Sequence, residues 1–143
     1  MIVFDASALL ALVRNERGAD LVADLIEDAD VGKFVHSANL CEVFHQVWRL
    51  ASEAGADGRS EAERAVREFL SFGIQERSDF DGILWRDAAE LIASRRLAGA
   101  SLPLGDALGV ALARRLDAQF VTADRAEIEP LESGGLVGAI FIR

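Results

Sequence analysis

The most informative part of the sequence reads Leu104-Gly105-Asp106-Ala107-Leu108-Gly109-Val110-Ala111-Leu112-Ala113, and it is followed closely by Gln119-Phe120-Val121-Thr122-Ala123-Asp124. Apolar residues recur at helical spacing through the first segment, which therefore predicts a helix with a buried face. The second segment predicts a short buried strand and then a turn. Each segment carries one carboxylate at a junction, because Asp106 lies at the helix start and Asp124 just past the strand.

The start of the chain has the same arrangement. Ile2-Val3-Phe4 is apolar and predicts a first buried strand, and Asp5 follows it directly. Either Asp5 or Ser7 is a candidate N-cap for the helix that follows, since both residue types favour that position. A cap is the simplest explanation of Asp5. A site shared with Asp106 and Asp124 is the alternative.

The rest of the chain alternates between short apolar runs and amphipathic segments. Strands are predicted at residues 2–4, 33–36, 74–77, 119–122 and 136–142, with helices between them. Helix N-caps are predicted at Ser37, at Ser60 and at Ser78 or Asp79, and a turn is predicted from Asp124 to Glu127. Such alternation predicts an α/β fold, with a parallel sheet covered on both faces by helices. No linker is visible, so we expect one domain over residues 1–143.

The composition excludes several classes of protein. The chain has 143 residues, of which 51% are hydrophobic and 27% charged, as in globular domains. The apolar N-terminal segment is short and is interrupted by Asp5, so neither a signal peptide nor a transmembrane helix is expected. The single cysteine, Cys41, cannot form an internal disulfide, which indicates a reducing, cytoplasmic setting, and we expect it to be buried. The two tryptophans, Trp48 and Trp85, are expected in the core or at an interface.

The net charge of −9 bears on possible partners. It opposes non-specific binding of nucleic acid over the whole surface. It suits instead a protein that concentrates acids in one pocket or that has a basic partner.

Four carboxylates have positions that predict a common site. Asp5 and Asp124 each follow a buried strand, and strands that are neighbours where the connection order reverses flank a ligand-binding crevice. Glu42 and Asp106 each lie early in a helix, within reach of the same rim, although Glu42 alone also fits a surface acid. The repulsion among four such groups needs compensation, and Lys33, the only lysine, cannot supply it.

A hard divalent cation would compensate these charges. Oxygen ligands suit Mg²⁺ or Mn²⁺, which are often held together with a substrate phosphate. Such an ion would polarise the phosphate, lower the pKa of a bound water and stabilise the leaving oxygen. The acids therefore predict a metal-dependent site that cleaves phosphodiester bonds.

Four segments also resemble the motifs of a known family. They are Val3-Phe4-Asp5-Ala6-Ser7-Ala8-Leu9-Leu10, Ser37-Ala38-Asn39-Leu40-Cys41-Glu42-Val43, Leu104-Gly105-Asp106-Ala107-Leu108 and Val121-Thr122-Ala123-Asp124-Arg125. In order and spacing they resemble PIN domains, and most closely the VapC-type toxins of bacterial toxin–antitoxin pairs. The resemblance covers nearly the whole chain.

The resemblance implies a mostly parallel, five-stranded sheet flanked by helices. It implies an Mg²⁺- or Mn²⁺-dependent endoribonuclease that leaves a 5′-phosphate, works as a homodimer and is silenced by a cognate antitoxin. The antitoxin would lay a C-terminal segment, with a basic residue, over the acids. The positions that match the acidic motif residues of the family are Asp5, Glu42, Asp106 and Asp124. Ser7 and Thr122 match small hydroxyl positions that support the acids or a bound water.

The chain departs from some relatives directly after Asp124. Those relatives carry a further acid there, whereas this chain has Arg125, and its next acid is Glu127. Whether Glu127 takes part, whether one metal binds or two, and which RNA is cut therefore stay open.

Two other classes of protein share part of this pattern. Phosphoaspartyl enzymes and receiver domains also place an Asp after the first strand, but they need a lysine late in the chain, and Lys33 is early. A PIN-like module that binds metal without cutting RNA and acts through protein partners is the stronger alternative. The presence of all four acids disfavours it.

Overall fold

Five strands and seven helices alternate along the chain in the computed structural model, which describes residues 1–143. The strands are β1 (Ile2–Phe4), β2 (Lys33–His36), β3 (Gln75–Arg77), β4 (Gln119–Thr122) and β5 (Gly138–Phe141). The helices are α1 (Ala6–Val13), α2 (Ala19–Glu27), α3 (Ser37–Glu53), α4 (Gly58–Ser71), α5 (Leu84–Leu97), α6 (Leu104–Leu116) and α7 (Arg125–Ser133). All five predicted strands are present.

The sheet has the strand order β3-β2-β1-β4-β5, and every pairing in it is parallel. The chain proceeds outward from β1 to β2 and β3, then returns to the other side of β1 for β4 and β5. The connection order therefore reverses between β1 and β4. This confirms the predicted α/β class and places the ends of β1 and β4 side by side, where open sheets of this type form a crevice.

Helices cover both faces of the sheet, and each face has its own core. Phe4 and Val121 point to the face that carries α1 to α4. Val3 and Phe120, their neighbours along the strands, point to the face that carries α5 to α7. All four side chains are fully buried, so β1 and β4 lack the alternation of apolar and polar residues that marks a solvent-facing sheet.

Helix α6 packs closely against the sheet because it has glycine where a side chain would collide. A methyl group on Gly109 would lie 2.7 Å from a ring carbon of Phe120 and 3.0 Å from Oδ1 of Asn39. Gly105, one turn earlier, has no contact closer than 3.7 Å. The approach of α6 to β4 and α3 therefore depends on Gly109.

The segment after Asp124 differs from the predicted turn, since residues Arg125–Ser133 form helix α7. Pro130 lies inside this helix and obscured the pattern, because proline has no N–H for the carbonyl four residues earlier. That carbonyl belongs to Ala126, and it accepts instead a long hydrogen bond, 3.4 Å, from Nη2 of Arg95 in α5.

Three helix N-caps also differ from the prediction by a few residues. The N-cap of α3 is His36 rather than Ser37, and its Nδ1 accepts from the N–H of Ala38 at 3.1 Å. The N-cap of α4 is Asp57 rather than Ser60. Helix α5 begins only at Leu84, so neither Ser78 nor Asp79 is its N-cap. Local side-chain caps of this kind compete with one another within a few residues, which leaves the exact start undetermined by pattern.

The surface holds further departures from the prediction. Cys41 is exposed, not buried, because it lies on the outer side of α3. Trp48 and Trp85 are 42% and 41% exposed, so neither is a core residue, and the interface role remains a prediction. No helix combines the length and apolar character needed to cross a bilayer.

The glycines of α6 provide a direct test of this packing. We expect Gly109→Ala to lower the free energy of unfolding by about 1–3 kcal/mol, because the added methyl group overpacks the space beside Phe120. Gly105→Ala is the matched control and should stabilise by up to about 1 kcal/mol, since alanine favours the helix. Urea unfolding measures both, and an unchanged or raised stability for Gly109→Ala would contradict the packing described.

Candidate metal centre

Asp5 is held by four hydrogen bonds at the end of β1. Its Oδ1 accepts from the backbone N–H of Ala6 at 2.7 Å, which makes Asp5 the N-cap of α1, and from Nδ2 of Asn39 at 3.0 Å. Its Oδ2 accepts from Oγ of Ser7 at 2.5 Å and from Oγ1 of Thr122 at 2.8 Å. These four donors match the acceptor capacity of a carboxylate. Asp5 is therefore the predicted cap, and this role does not exclude the predicted shared site.

Two backbone N–H groups fix the hydroxyl donors. The N–H of Ala123 donates to Oγ of Ser7, and the N–H of Asp124 donates to Oγ1 of Thr122, each at 2.9 Å. Each hydroxyl that accepts from an amide still has its own proton to donate, and Oδ2 of Asp5 is within hydrogen-bond distance of both. The turn after β4 thus orients the carboxylate at the end of β1.

Asp106 lies close by and differs from Asp5 in having no hydrogen-bond partner in the protein. Its side chain is in the first turn of α6 and is 6% exposed. Burial is the largest cause that raises its pKa, and the charges of Asp5, Asp124, Glu42 and Glu127 follow in that order. Together they raise the pKa of Asp106 to about 8. Asp106 therefore lies within electrostatic reach of the other three predicted acids and of Glu127.

The pKa of Asp5 is also raised, but hydrogen bonds oppose the effect of burial. Burial raises its pKa, the hydrogen bonds from Ser7 and Thr122 lower it, and the charge of Asp124 raises it again. The outcome is a pKa of about 6, lower than that of Asp106 although Asp5 is only 1% exposed. The donors around Asp5 thus favour its ionised form.

No basic side chain offsets these charges. None of the ion pairs in the protein includes Asp5, Glu42, Asp106, Asp124 or Glu127. The only lysine, Lys33, lies at the start of β2, away from the strand ends that carry the acids. Its Nζ donates to the carbonyls of Ile26 and Asp28. A buried cluster of unpaired carboxylates has the donor set that a hard divalent cation needs.

The residues present fit such a cation without forming a closed cage. No three His, Cys, Asp or Glu side chains have metal-ligand spacing. Mg²⁺ usually keeps several waters and takes one or two carboxylates directly, so an open group of acids is sufficient for it. Asp106, which has no competing hydrogen bond, is the acid most available as a direct ligand, whereas Asp5 would have to share an oxygen with one of its donors.

Sequence reasoning missed Asn39, which is fully buried beside Asp5. It precedes Glu42 by three residues and Val43 by four, so all three lie on one side of α3. A polar residue on a side of the helix otherwise occupied by Val43 and Val47 was the available signal.

The largest cavity, about 700 Å³, lies away from the acids, among α1, α2, α3 and α4. None of the four predicted acids lines that cavity.

The sequence matches a known family over most of its length. The family model for the PIN domain matches residues 2–129, which span all four acids. The chain belongs to the PIN-domain family. Among curated proteins, none matches the chain.

Several solved structures are similar to this chain over nearly the full length of both chains. One is VapBC2 from Rickettsia felis bound to a DNA fragment from its promoter, with a TM-score of 0.72, 16% identity and coverage of 99% of this chain and 98% of that one. FitAcB from Neisseria gonorrhoeae gives a TM-score of 0.73 at 16% identity with the same coverage. A toxin–antitoxin complex from Klebsiella pneumoniae gives 0.69 at 15% identity, covering 100% and 98%. At such identities the likeness shows a common fold.

The raised pKa values predict how the stability of the metal-free protein depends on pH. An unfolded Asp ionises near 3.8, whereas folded Asp106 holds its proton to about pH 8. Between these values the folded state binds more protons at Asp106, so the contribution of this group to stability is fully present at low pH and is lost as the pH rises toward 8. In EDTA, urea unfolding should give a free energy about 1–3 kcal/mol lower near pH 8.5 than near pH 5.5. Asp106→Asn should flatten this dependence, and a wild-type stability that rises over the interval would contradict the acid cluster.

Proposed function

We propose that this PIN domain is a metal-dependent endoribonuclease, and that it serves as the toxin of a type II toxin–antitoxin pair. The observation that carries the proposal is the group of unpaired carboxylates around buried Asp5 and Asp106 at the reversal point of the sheet. Membership of the PIN-domain family supports nuclease chemistry, and the fold shared with a toxin–antitoxin complex supports the toxin role.

The acids divide into two groups by how they are held. We assign Asp106 to direct binding of Mg²⁺ or Mn²⁺, with Asp5 as the anchored second ligand. Asp124 and Glu42, both half-buried, lie at the rim and would bind the ion directly or hold a water. The bound ion would supply positive charge to the scissile phosphate and acidify the attacking water. Ser7 and Thr122 orient Asp5.

An antitoxin partner is supported by an apolar groove as well as by the fold. The α1–α4 groove is the cavity of about 700 Å³ described above, and apolar side chains make up most of its lining. Phe72 stands at its edge and is 60% exposed. Charged residues follow the rim, so an amphipathic segment of a partner would match it. The net charge of −9 favours a partner with basic residues near the acids.

Self-association fits a second apolar area. Phe80 and Leu104 are each at least 60% exposed, and together with Trp85 they line one small apolar cavity. Exposed apolar side chains that cluster in this way mark interaction surfaces. We assign this area to the homodimer, with residues 1–143 acting as one domain in the cytoplasm on an RNA substrate.

RNA cleavage provides the test of function. Purified protein incubated with total cellular RNA and Mg²⁺ or Mn²⁺ should give discrete fragments, and EDTA should abolish them. Asp106→Asn should reduce cleavage by on the order of 10³-fold or more, because a principal ligand of the ion is lost. Asp24→Asn is the matched control, since Asp24 is an exposed acid on α2 outside the site, and it should cleave like wild type.

Two outcomes would contradict this proposal. Fragments that persist in EDTA, or in Asp106→Asn, would remove the assigned site. Metal binding without cleavage, in a sample that mass spectrometry shows to be free of inhibitor, would favour a metal-binding module that acts through protein partners.

The groove predicts a variant that escapes neutralisation. Phe72→Glu should retain RNA cleavage, and the antitoxin should inhibit it at least about tenfold more weakly than wild type. The reason is that a charge replaces an apolar contact at the groove edge. Leu97→Glu introduces the same charge at an apolar residue that is 90% exposed and outside the groove, so it is the control. Titration of cleavage with the antitoxin encoded beside the gene measures the inhibition of both variants. Equal inhibition of Phe72→Glu and wild type would exclude the groove as the surface that binds the antitoxin.

A further inference from the structure

Asn39 is a fully buried polar side chain with an incomplete set of hydrogen bonds. Its Nδ2 donates to Oδ1 of Asp5, but its own Oδ1 has no partner. Burying an amide oxygen without a partner costs free energy. An apolar residue would avoid this cost, so what asparagine contributes at this position is its hydrogen bond to Asp5.

The position of the amide is fixed from both sides. Its Oδ1 faces the backbone of α6, where a methyl group on Gly109 would lie only 3.0 Å away. Turning the amide over would aim Oδ1 at the Asp5 carboxylate and bring two acceptors together. The negative charge of Asp5 therefore holds the amide in the orientation that leaves Oδ1 unpaired.

A neutral donor has a specific advantage at this place. Lysine or arginine would also bind Oδ1 of Asp5, but its charge would cancel the negative charge that attracts a cation. An amide restrains the carboxylate and leaves the charge of the cluster intact. Asn39 also lies one helical turn from Glu42 on α3, so it ties the helix that carries one acid to the strand end that carries another.

We propose that Asn39 is a positioning residue that holds Asp5 in the orientation in which the acid cluster binds its divalent cation. The inference rests on the proposed function for the existence of that cation site. Partners that orient metal ligands through hydrogen bonds typically change metal affinity by 10- to 100-fold when removed.

Metal affinity of the Asn39→Leu variant tests the role. We expect its Kd for Mg²⁺, from the rise in thermal unfolding midpoint with Mg²⁺ concentration and from Mn²⁺ calorimetry, to be weaker by roughly 10-fold or more. The metal-free midpoint should fall only modestly, because Oδ1 of Asp5 keeps the N–H of Ala6 and the unpaired Oδ1 of Asn39 is removed with the lost donor. Asn39→Ser, whose hydroxyl is too short to reach Asp5, is a second variant that should show the same loss of affinity.

Val43→Ala separates positioning from a general loosening of α3. Val43 is fully buried on the same side of the helix and is apolar. Its truncation should lower the metal-free midpoint and leave the Kd for Mg²⁺ unchanged. RNA cleavage by Asn39→Leu should recover when Mg²⁺ is raised about 10- to 100-fold, whereas cleavage by Asp106→Asn should not.

Three results would overturn the inference. Wild-type Kd values in both Asn39 variants would show that Asp5 needs no such restraint, and the metal site would stand. A loss of affinity in Val43→Ala equal to that in Asn39→Leu would assign the effect to helix stability. Absence of Mg²⁺ and Mn²⁺ binding by the wild-type protein would remove both this inference and the proposed function.

Discussion

The burial of the Asp5 carboxylate is the constraint around which this protein is built. A charge that is 1% exposed needs compensation, and the chain supplies four uncharged donors from three separate elements and no base. Ser7 comes from α1, Asn39 from α3 and Thr122 from β4. One carboxylate thus links the first strand to parts of the chain more than a hundred residues away. Restraint without neutralisation leaves a centre that is rigid and still negative.

The sheet topology gives this charge its setting. Because β1 is central and pairs with β2 on one side and β4 on the other, the acids that follow β1 and β4 meet at one edge of the sheet. Helix α6 completes the site by bringing Asp106 beside them, and its approach depends on the missing side chain of Gly109. Asp106 then has a buried carboxyl and no donor. Our proposal of a metal ion and a phosphodiester substrate rests on this pairing of a hydrogen-bonded acid with an unbonded one.

Much of this arrangement could be predicted from the sequence, because buried parallel strands and the acids that follow them leave strong local patterns. The fold class, the strand positions and the meeting of Asp5 with Asp106 followed from such patterns. Asn39 was missed since its partner is 34 residues away, and no local spacing shows that contact. Helix α7 was missed because Pro130 breaks the local pattern, while Arg95 from α5 compensates for the lost bond through a tertiary contact. The exposure of Cys41 likewise depends on which side of α3 packs, which its residue type does not reveal.

The most direct measurement is the anomalous scattering of Mn²⁺ in crystals grown with that ion. The central claim is that the carboxylates at the β1–β4 reversal bind a divalent cation. The account predicts an anomalous peak in contact with the Asp106 carboxylate and beside Asp5, and loss of that peak in crystals of Asp106→Asn. Ordered crystals of the wild-type protein with no Mn²⁺ peak at these acids, or with one that Asp106→Asn retains, would contradict it.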